Sequence, residues 1–566
     1  MDGSQVQLMT DIYDPLLMLR SLGLPEPNSS QLNFCGGAKQ TKVAQWVNDL
    51  KATQVSHTGV ALYNALPEVL RLKTDPMVKY EILECLRPAV QQCIAGLALT
   101  YLHQPVTLSE SAQKTAIVAQ ALEKHLIDGY TQVVLELASV NKANNYGRHI
   151  FICALHRAMT SLGLLFCRSF QLYTQVPRGL WRHLHTLYRT AHAYELEDLT
   201  ASDPILGGPL LSVGEAYLRV LAAGVARLNQ VAPMEAMRVF HALGNWAGLI
   251  HLEPMVADDA EVTFWLNLDA DRPPLGRDRY LKTQGGDVRS LDFSRLLAQL
   301  HNRPADSSDR TANSDRNANS DRATNPGRTE ELSISLVNHL RQAWEGETHR
   351  DMDRRGSAVM AKVAVGLFEC HYQLAGERTF NDFMQEEEVE EVEVTLPSFA
   401  NLSGKTEPRD TGQASLGQVF DVQIINQSSG GYCLQWQNDT EARLEAGDII
   451  AIREQGRRSW SLCMVRWLRR LKDGPQVGLK RLANNPQPIA ISARLDDGEY
   501  CPFMRGFWLA APQQSGGKSV LAPSLPFQAG QSVKMKIDGN LTNGRLDQCT
   551  GGSAKVRHFT LSMTPS

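Results

Sequence analysis

Residues 303–328, RPADSSDRTANSDRNANSDRATNPGR, repeat Ser-Asp-Arg every six residues and carry no large apolar side chain. Such a stretch has no surface to bury against the entropy cost of ordering, so it predicts an unfolded tether. The repeated arginines stand beside aspartates, which argues against a nucleic-acid-binding arm. The tether also separates two grammars. From about 40 to 300, apolar residues recur at i, i+3, i+4 and i+7, as in VALYNALPEVLRLK and AQKTAIVAQALEKHLIDGYTQVVLELA. This is the signature of amphipathic helices. Beyond Glu330 one helix, ELSISLVNHLRQAWEG, precedes short alternating segments broken by GG and DG turns. The alternating segments read as strands of an antiparallel barrel.

The chain is therefore expected to be multidomain. An all-α region spans 1–302, the tether 303–328, an all-β barrel domain 329–495, and a β-rich extension 496–566. AKVAVGLFECHYQL reads as the first barrel strand and PIAISARL as the last. An insertion over about 377–414 contains QEEEVEEVEV (385–394), a solvated acidic face or a docking surface for a basic partner. Within the helical region, Thr107 and Glu110 suggest a capping box, and VTFWLNLD (262–269) suggests a lone strand.

The 566 residues are 43 % hydrophobic, enough for a sizeable core, and the formal net charge is −4. Near neutrality gives no bulk attraction to nucleic acid or a membrane, so any anion site must be local. Ten cysteines without a CxxC pair point to free thiols in a reducing cytoplasm. The opening MDGSQVQLMTDIYDPLL has three aspartates and no basic segment, unlike a secretory signal. FICALHRAMTSLGLLFC (151–167) is apolar but carries His156 and Arg157 and looks short for a bilayer span. His183, His185 and His192 lie close in sequence. Positions two apart face different sides of a helix, so buried or surface histidines are expected rather than a metal site.

Chemistry concentrates at two places. His-Arg-Asp-Met-Asp-Arg-Arg, residues 349–355, offers Arg350, Arg354 and Arg355 just before the barrel. Guanidinium forks bind phosphates or a guanine edge bidentately. Asn426-x-Ser428-x-x-Gly431 lies between two strands. Its side chains can cap backbone groups or donate to an anion, and its glycines permit close approach and positive φ. Lys405-TEP-Arg409 is a second basic pair, poorer because lysine lacks the fork. GGAK (36–39) and SGGK (515–518) lack the GxxxxGK(S/T) pattern of a P-loop, and no nucleophile elbow or zinc signature occurs, so an enzyme is not expected.

Arg350-DMD-Arg354 followed by Asn426-Q-Ser428-SG-Gly431 resembles the RxxxR and (D/N)xSxxG motifs of the PilZ domain, a bacterial receptor for cyclic di-GMP. SLCMVRWLRRL and QVGLKRL are similar to its later strands, and the resemblance covers about 347–495. The upstream helices with FWLNLDADRPP resemble large bacterial proteins that end in such a domain. The resemblance implies a six-stranded barrel and cyclic di-GMP held by Arg350, Arg354, Arg355, Asn426, Ser428 and Gly431, with no cofactor. It further implies a cytoplasmic sensor linked to type IV pili, motility, attachment and biofilm. A protein partner is expected at the helical region or the acidic insertion. A homodimer is open to it, nucleic acid is not expected, and membrane association is peripheral at most. The alternative is a PilZ-like scaffold that binds no nucleotide. Two departures stand out: Arg354 and Asn426 are 72 positions apart, wider than in typical members, and Asp351 and Asp353 sit inside the arginine arm.

Overall fold

The computed structural model describes residues 14–50, 54–102, 104–140, 145–254, 263–276, 286–301, 332–346, 355–385, 417–437, 441–509 and 518–563. The tether, the arm residues Arg350 and Arg354, the pair Lys405 and Arg409, and the acidic run from 386 lie outside these residues. The chain folds into two units, Met1–Gln104 with Leu108–His349, and Pro105–Thr107 with Arg350–Ser566.

The first unit contains helices α1 (Pro15–Arg20), α2 (Gln40–Leu50), α3 (Val55–Arg71), α4 (Pro76–Tyr101), α5 (Glu110–Ala138), α6 (Asn145–Gln171) and α7 (Leu180–Ala193). A two-residue pair, β1 (Thr200–Ala201) and β2 (Leu211–Ser212), precedes α8 (Val213–Val225) and α9 (Pro233–Trp246). Strands β3 (His251–Pro254), β4 (Phe264–Asn267), β5 (Leu275–Gly276) and β6 (Val288–Asp292) form an antiparallel sheet in the order β3-β6-β4-β5. The expected lone strand is thus an interior strand of a sheet. Helices α10 (Ser294–His301) and α11 (Ile334–Trp344) complete the unit.

Its centre is α6, whose most apolar window is entirely buried. The helix runs 27 residues, longer than its sequence suggested, and both α4 and α6 have the length and composition to cross a bilayer. Protein, not lipid, explains the apolarity of α6, since its neighbours cover it on every side. Gly163 lets Phe240 and Val220 close against it. α5 starts one residue after Ser109, whose hydroxyl accepts from the Ala112 N–H at 3.2 Å. Glu110 is the first helical residue, so the expected capping box from Thr107 does not form.

Charges buried in this unit are matched. Arg87 donates to both carboxylate oxygens of Asp203, at 2.9 and 2.5 Å. Burial would raise the Asp203 pKa, but the Arg87 hydrogen bonds and the charges of Arg87 and Arg157 overcome it and bring it down to about 2. His183 Nε2 lies 2.8 Å from the Thr131 hydroxyl, and His185 Nδ1 2.9 Å from the Tyr217 hydroxyl. These two histidines of α7 are core residues with different partners, and His192 is largely exposed and 2.7 Å from Glu197.

α11 joins this core through Leu336, Leu340 and Trp344, and the Trp344 indole donates to the Ala222 carbonyl at 3.2 Å. The sequence had grouped that helix with the barrel. Its apolar face is instead covered by helices, which moves the boundary to Arg350.

The second unit is two closed barrels. The first comprises β7 (Arg355–Val365), β8 (Phe420–Ser428), β9 (Gly431–Gln435), β10 (Ile449–Glu454), β11 (Ser461–Leu471) and β12 (Gly474–Asn484). Between β7 and β8 lie helices α12 (Gly366–Leu374) and α13 (Phe380–Gln385). The second barrel comprises β13 (Gln487–Ala493), β14 (Met504–Leu509), β15 (Lys518–Pro523), β16 (Ser532–Ile537), β17 (Asn540–Gly552) and β18 (Val556–Met563). PIAISARL therefore opens the second barrel rather than closing the first. With strands lettered a to f in chain order, both barrels close as a-b-c-f-e-d. The extension is a topological repeat of the domain before it.

The barrels share an apolar seam. Ala364, Ile449, Leu462 and Ala483 of the first meet Phe507, Leu509, Leu521 and Val556 of the second, with Cys370 of α12 among them. His371 of α12 donates from Nε2 to the Ile489 carbonyl at 3.2 Å, and Lys555 reaches Asp448 at 2.6 Å. α12 therefore works as a wedge, where the sequence had read a continuing strand. All ten cysteines are free.

Candidate functional site

The Asn-x-Ser-x-x-Gly motif forms the β8–β9 hairpin. β8 ends at Ser428, Ser429 and Gly430 turn, and β9 begins at Gly431. A bulge at Ile425 precedes it, between the pairs Ile424 with Leu434 and Asn426 with Cys433. The bulge shifts the alternation, so Asn426 and Ser428 leave the barrel interior and share its outer face with Cys433 and Gly431.

The glycines act differently from the expectation. Gly430 has no positive φ, and Gly431 is near-extended at φ 159°. What fixes glycine at 431 is proximity: a Cβ there would overlap the carbonyl oxygen of Leu479 on β12. The space beside Gly431 belongs to the barrel wall. The turn is pinned by β12 as well. The Arg481 N–H donates to the Gly430 carbonyl at 2.8 Å, and its guanidinium lies 4.6 Å over the Tyr432 ring. The Tyr432 hydroxyl donates to Glu454 at 3.1 Å. Sequence reading missed Arg481 because its contacts to the hairpin arise from strand pairing distant in the chain.

The side chains of Asn426 and Ser428 are partly buried and make no hydrogen bond to another described residue. Both lie on an outer face with a floor of small residues. One cross-strand row runs Gly356, Asn426, Cys433, Gly478 and Trp467; the next runs Ser428, Gly431, Lys480 and Met464. The Trp467 indole lies against Gly478, where a Cβ would overlap the ring.

The arm meets this hairpin at its described end. Arg355 pairs with Gln427 and Gly356 with Asn426, so β7 begins beside the motif. Despite the intervening insertion, the strand that follows Arg354 is a direct neighbour of β8. Arg355 itself shares the face of Gln427 and Tyr432. That is the face opposite Asn426 and Ser428, so the structure does not bring the Arg355 side chain to them. It is exposed and has no ion pair among the described residues.

Two more cations flank the hairpin. Lys480, directly opposite Gly431, is held below the usual lysine range by partial desolvation and by the charge of Arg466. Desolvation also lowers the Arg466 guanidinium. His558 of the second barrel is lowered by burial and by Lys480, and its Nε2 is buried without a hydrogen-bond partner among the described residues.

Two family models match the chain. "Cyclic-di-GMP receptor FimW, N-terminal domain" matches residues 41–258. "Cyclic-di-GMP receptor FimW, middle PilZ domain" matches 263–414 and 396–488. The two pieces of the second match meet at 396–414, between the α13 and β8 segments, where the sequence places its insertion. A cyclic-di-GMP receptor FimW of Pseudomonas aeruginosa is 28 % identical over 95 % of this chain and 93 % of its own length. No solved structure matches the chain.

Proposed function

The chain belongs to the FimW family of cyclic-di-GMP receptors, and from that premise we propose that it is itself a receptor for cyclic di-GMP, with the ligand on the outer face of the first barrel. Arg350 and Arg354 supply guanidinium forks for the phosphates or guanine edges. Asn426 and Ser428 donate from the hairpin, and Gly431 keeps the strand surface low beside them. The observation that carries this reading is the placement of Asn426 and Ser428. Their side chains are uncommitted, on one face, on the strand paired with the start of β7.

The role is that of an effector rather than a catalyst. The difference in ligand affinity between two conformational states of the protein drives the output. That output passes to a protein partner through the helical unit or the acidic run, and governs pili, motility, attachment or biofilm. Ten free thiols suit a cytoplasmic location.

Calorimetric titration of the full chain with cyclic di-GMP tests the reading. Saturable binding is expected, with Arg354→Ala weaker by roughly 10- to 100-fold, as befits a charge-assisted contact of about 1.5–3 kcal/mol. No heat and no ligand-dependent melting shift for the wild type would establish the ligand-free scaffold instead.

A further inference from the structure

We propose that Lys480 is a phosphate-binding residue of this same site, closing it from the side of β12. The inference rests on the receptor reading above and extends it to a residue outside both motifs.

Register supplies the geometry. Ser428 on β8, Gly431 on β9 and Lys480 on β12 are directly opposite one another in three adjacent strands. Directly opposed residues share a face, and strands lie about 4.8 Å apart, so Lys480 starts about 10 Å from Ser428. The residue between them has no side chain. The four-carbon lysine stem is long enough to carry its ammonium across the Gly431 position toward Ser428, with no side chain of residue 431 to cross.

Charge supplies the second argument. Lys480 has no carboxylate partner among the described residues, and the charge of Arg466 adds to the cost of keeping it charged. Arg466 is the extra residue of the bulge between Val465 and Trp467, so β11 is deformed where it carries the second cation. Lys480 and Arg466 are exposed cations without a carboxylate partner among the described residues, and beside a hairpin that can donate hydrogen bonds they give this face a local positive field suited to an anion. Cyclic di-GMP carries one negative charge on each of two phosphodiesters. Lys480 stands ready for one of these phosphates from the side of β12.

The test is titration of the full-length protein with cyclic di-GMP at several salt concentrations, for wild type, Lys480→Met and Lys480→Arg. Methionine keeps the apolar stem and removes the charge. The expected result is binding weaker by roughly 10-fold or more for Lys480→Met. Its salt dependence should be shallower, Lys480→Arg should stay near wild type, and melting without ligand should be unchanged. Wild-type affinity in Lys480→Met overturns the inference and leaves the receptor reading standing. Weakened binding with unchanged salt dependence, not restored by arginine, also overturns it, because the residue would then act through packing. Absence of binding by the wild type overturns the receptor reading and this inference with it.

Discussion

Gly431 and Ser428 belong to one motif and do different work. Gly431 is fixed by the Leu479 carbonyl behind it, and Ser428 is fixed by nothing the described chain offers. Gly431→Ala should therefore lower the melting temperature, at a cost of about 1–3 kcal/mol for forcing two strands apart. Ser428→Ala should leave melting in place and weaken cyclic di-GMP binding. Thermal melts of both variants with and without ligand check this, and equal melting of the two would refute the division of roles. The motif was legible in sequence because it is a local hairpin whose six residues are contiguous. Lys480 and Arg481 were not, because their relation to it passes through the pairing of β12 with β9. Arg355 looked like part of the arm by adjacency, and strand alternation turns it away from Asn426.

Among the elements, the helices of the first unit and most barrel strands followed from periodicity, and errors fell where length was short. LFECHYQL has apolar residues compatible with either period. Its nine-residue helix is decided by Cys370 and His371, which fill the seam between barrels, and by Gly366, whose φ of 87° ends β7. β13 belongs to the second barrel, and nothing local in sequence distinguishes the last strand of one barrel from the first strand of the next. The seam makes the barrels mutually dependent. Phe507 is fully buried in it, and Phe507→Ala should cost about 3–5 kcal/mol and lower the unfolding midpoints of both barrels together. A fall confined to the second barrel, read by urea unfolding with strand-specific hydrogen exchange, would show the seam to be dispensable.

α7 carries a pH dependence of its own. Burial pushes the His183 imidazole down to about 3 and that of His185 to about 4, so both are neutral in the fold. The unfolded value is about 6.5. As pH falls below that value the unfolded chain takes up protons the folded chain refuses, and stability declines until the folded pKa values are reached. By pH 4.5 each residue contributes a loss of about 2–3 kcal/mol. Urea midpoints of the helical signal should fall steadily between pH 6.5 and 4.5, less steeply in His183→Gln. A flat profile would mean that these imidazoles are not excluded from water.

For the whole molecule, composition and the 303–328 tract announced two grammars, and the chain does fold into two units. The tract did not mark the boundary, since α11 follows it and still packs with the helices; hydrophobic demand, not linker position, assigned that element. Nor did it reveal that the second unit contains one topology twice, because strand order is written in pairings rather than in composition. Two similar barrels raise the question of which one holds the ligand; the proposed site is on the first, at the β8–β9 hairpin. Hydrogen exchange of the full chain with and without saturating cyclic di-GMP addresses that placement most directly. Added protection is predicted in β8, β9 and the Lys480 stretch of β12, with strands β14–β18 little changed. Protection confined to the second barrel or to the helical unit would contradict it.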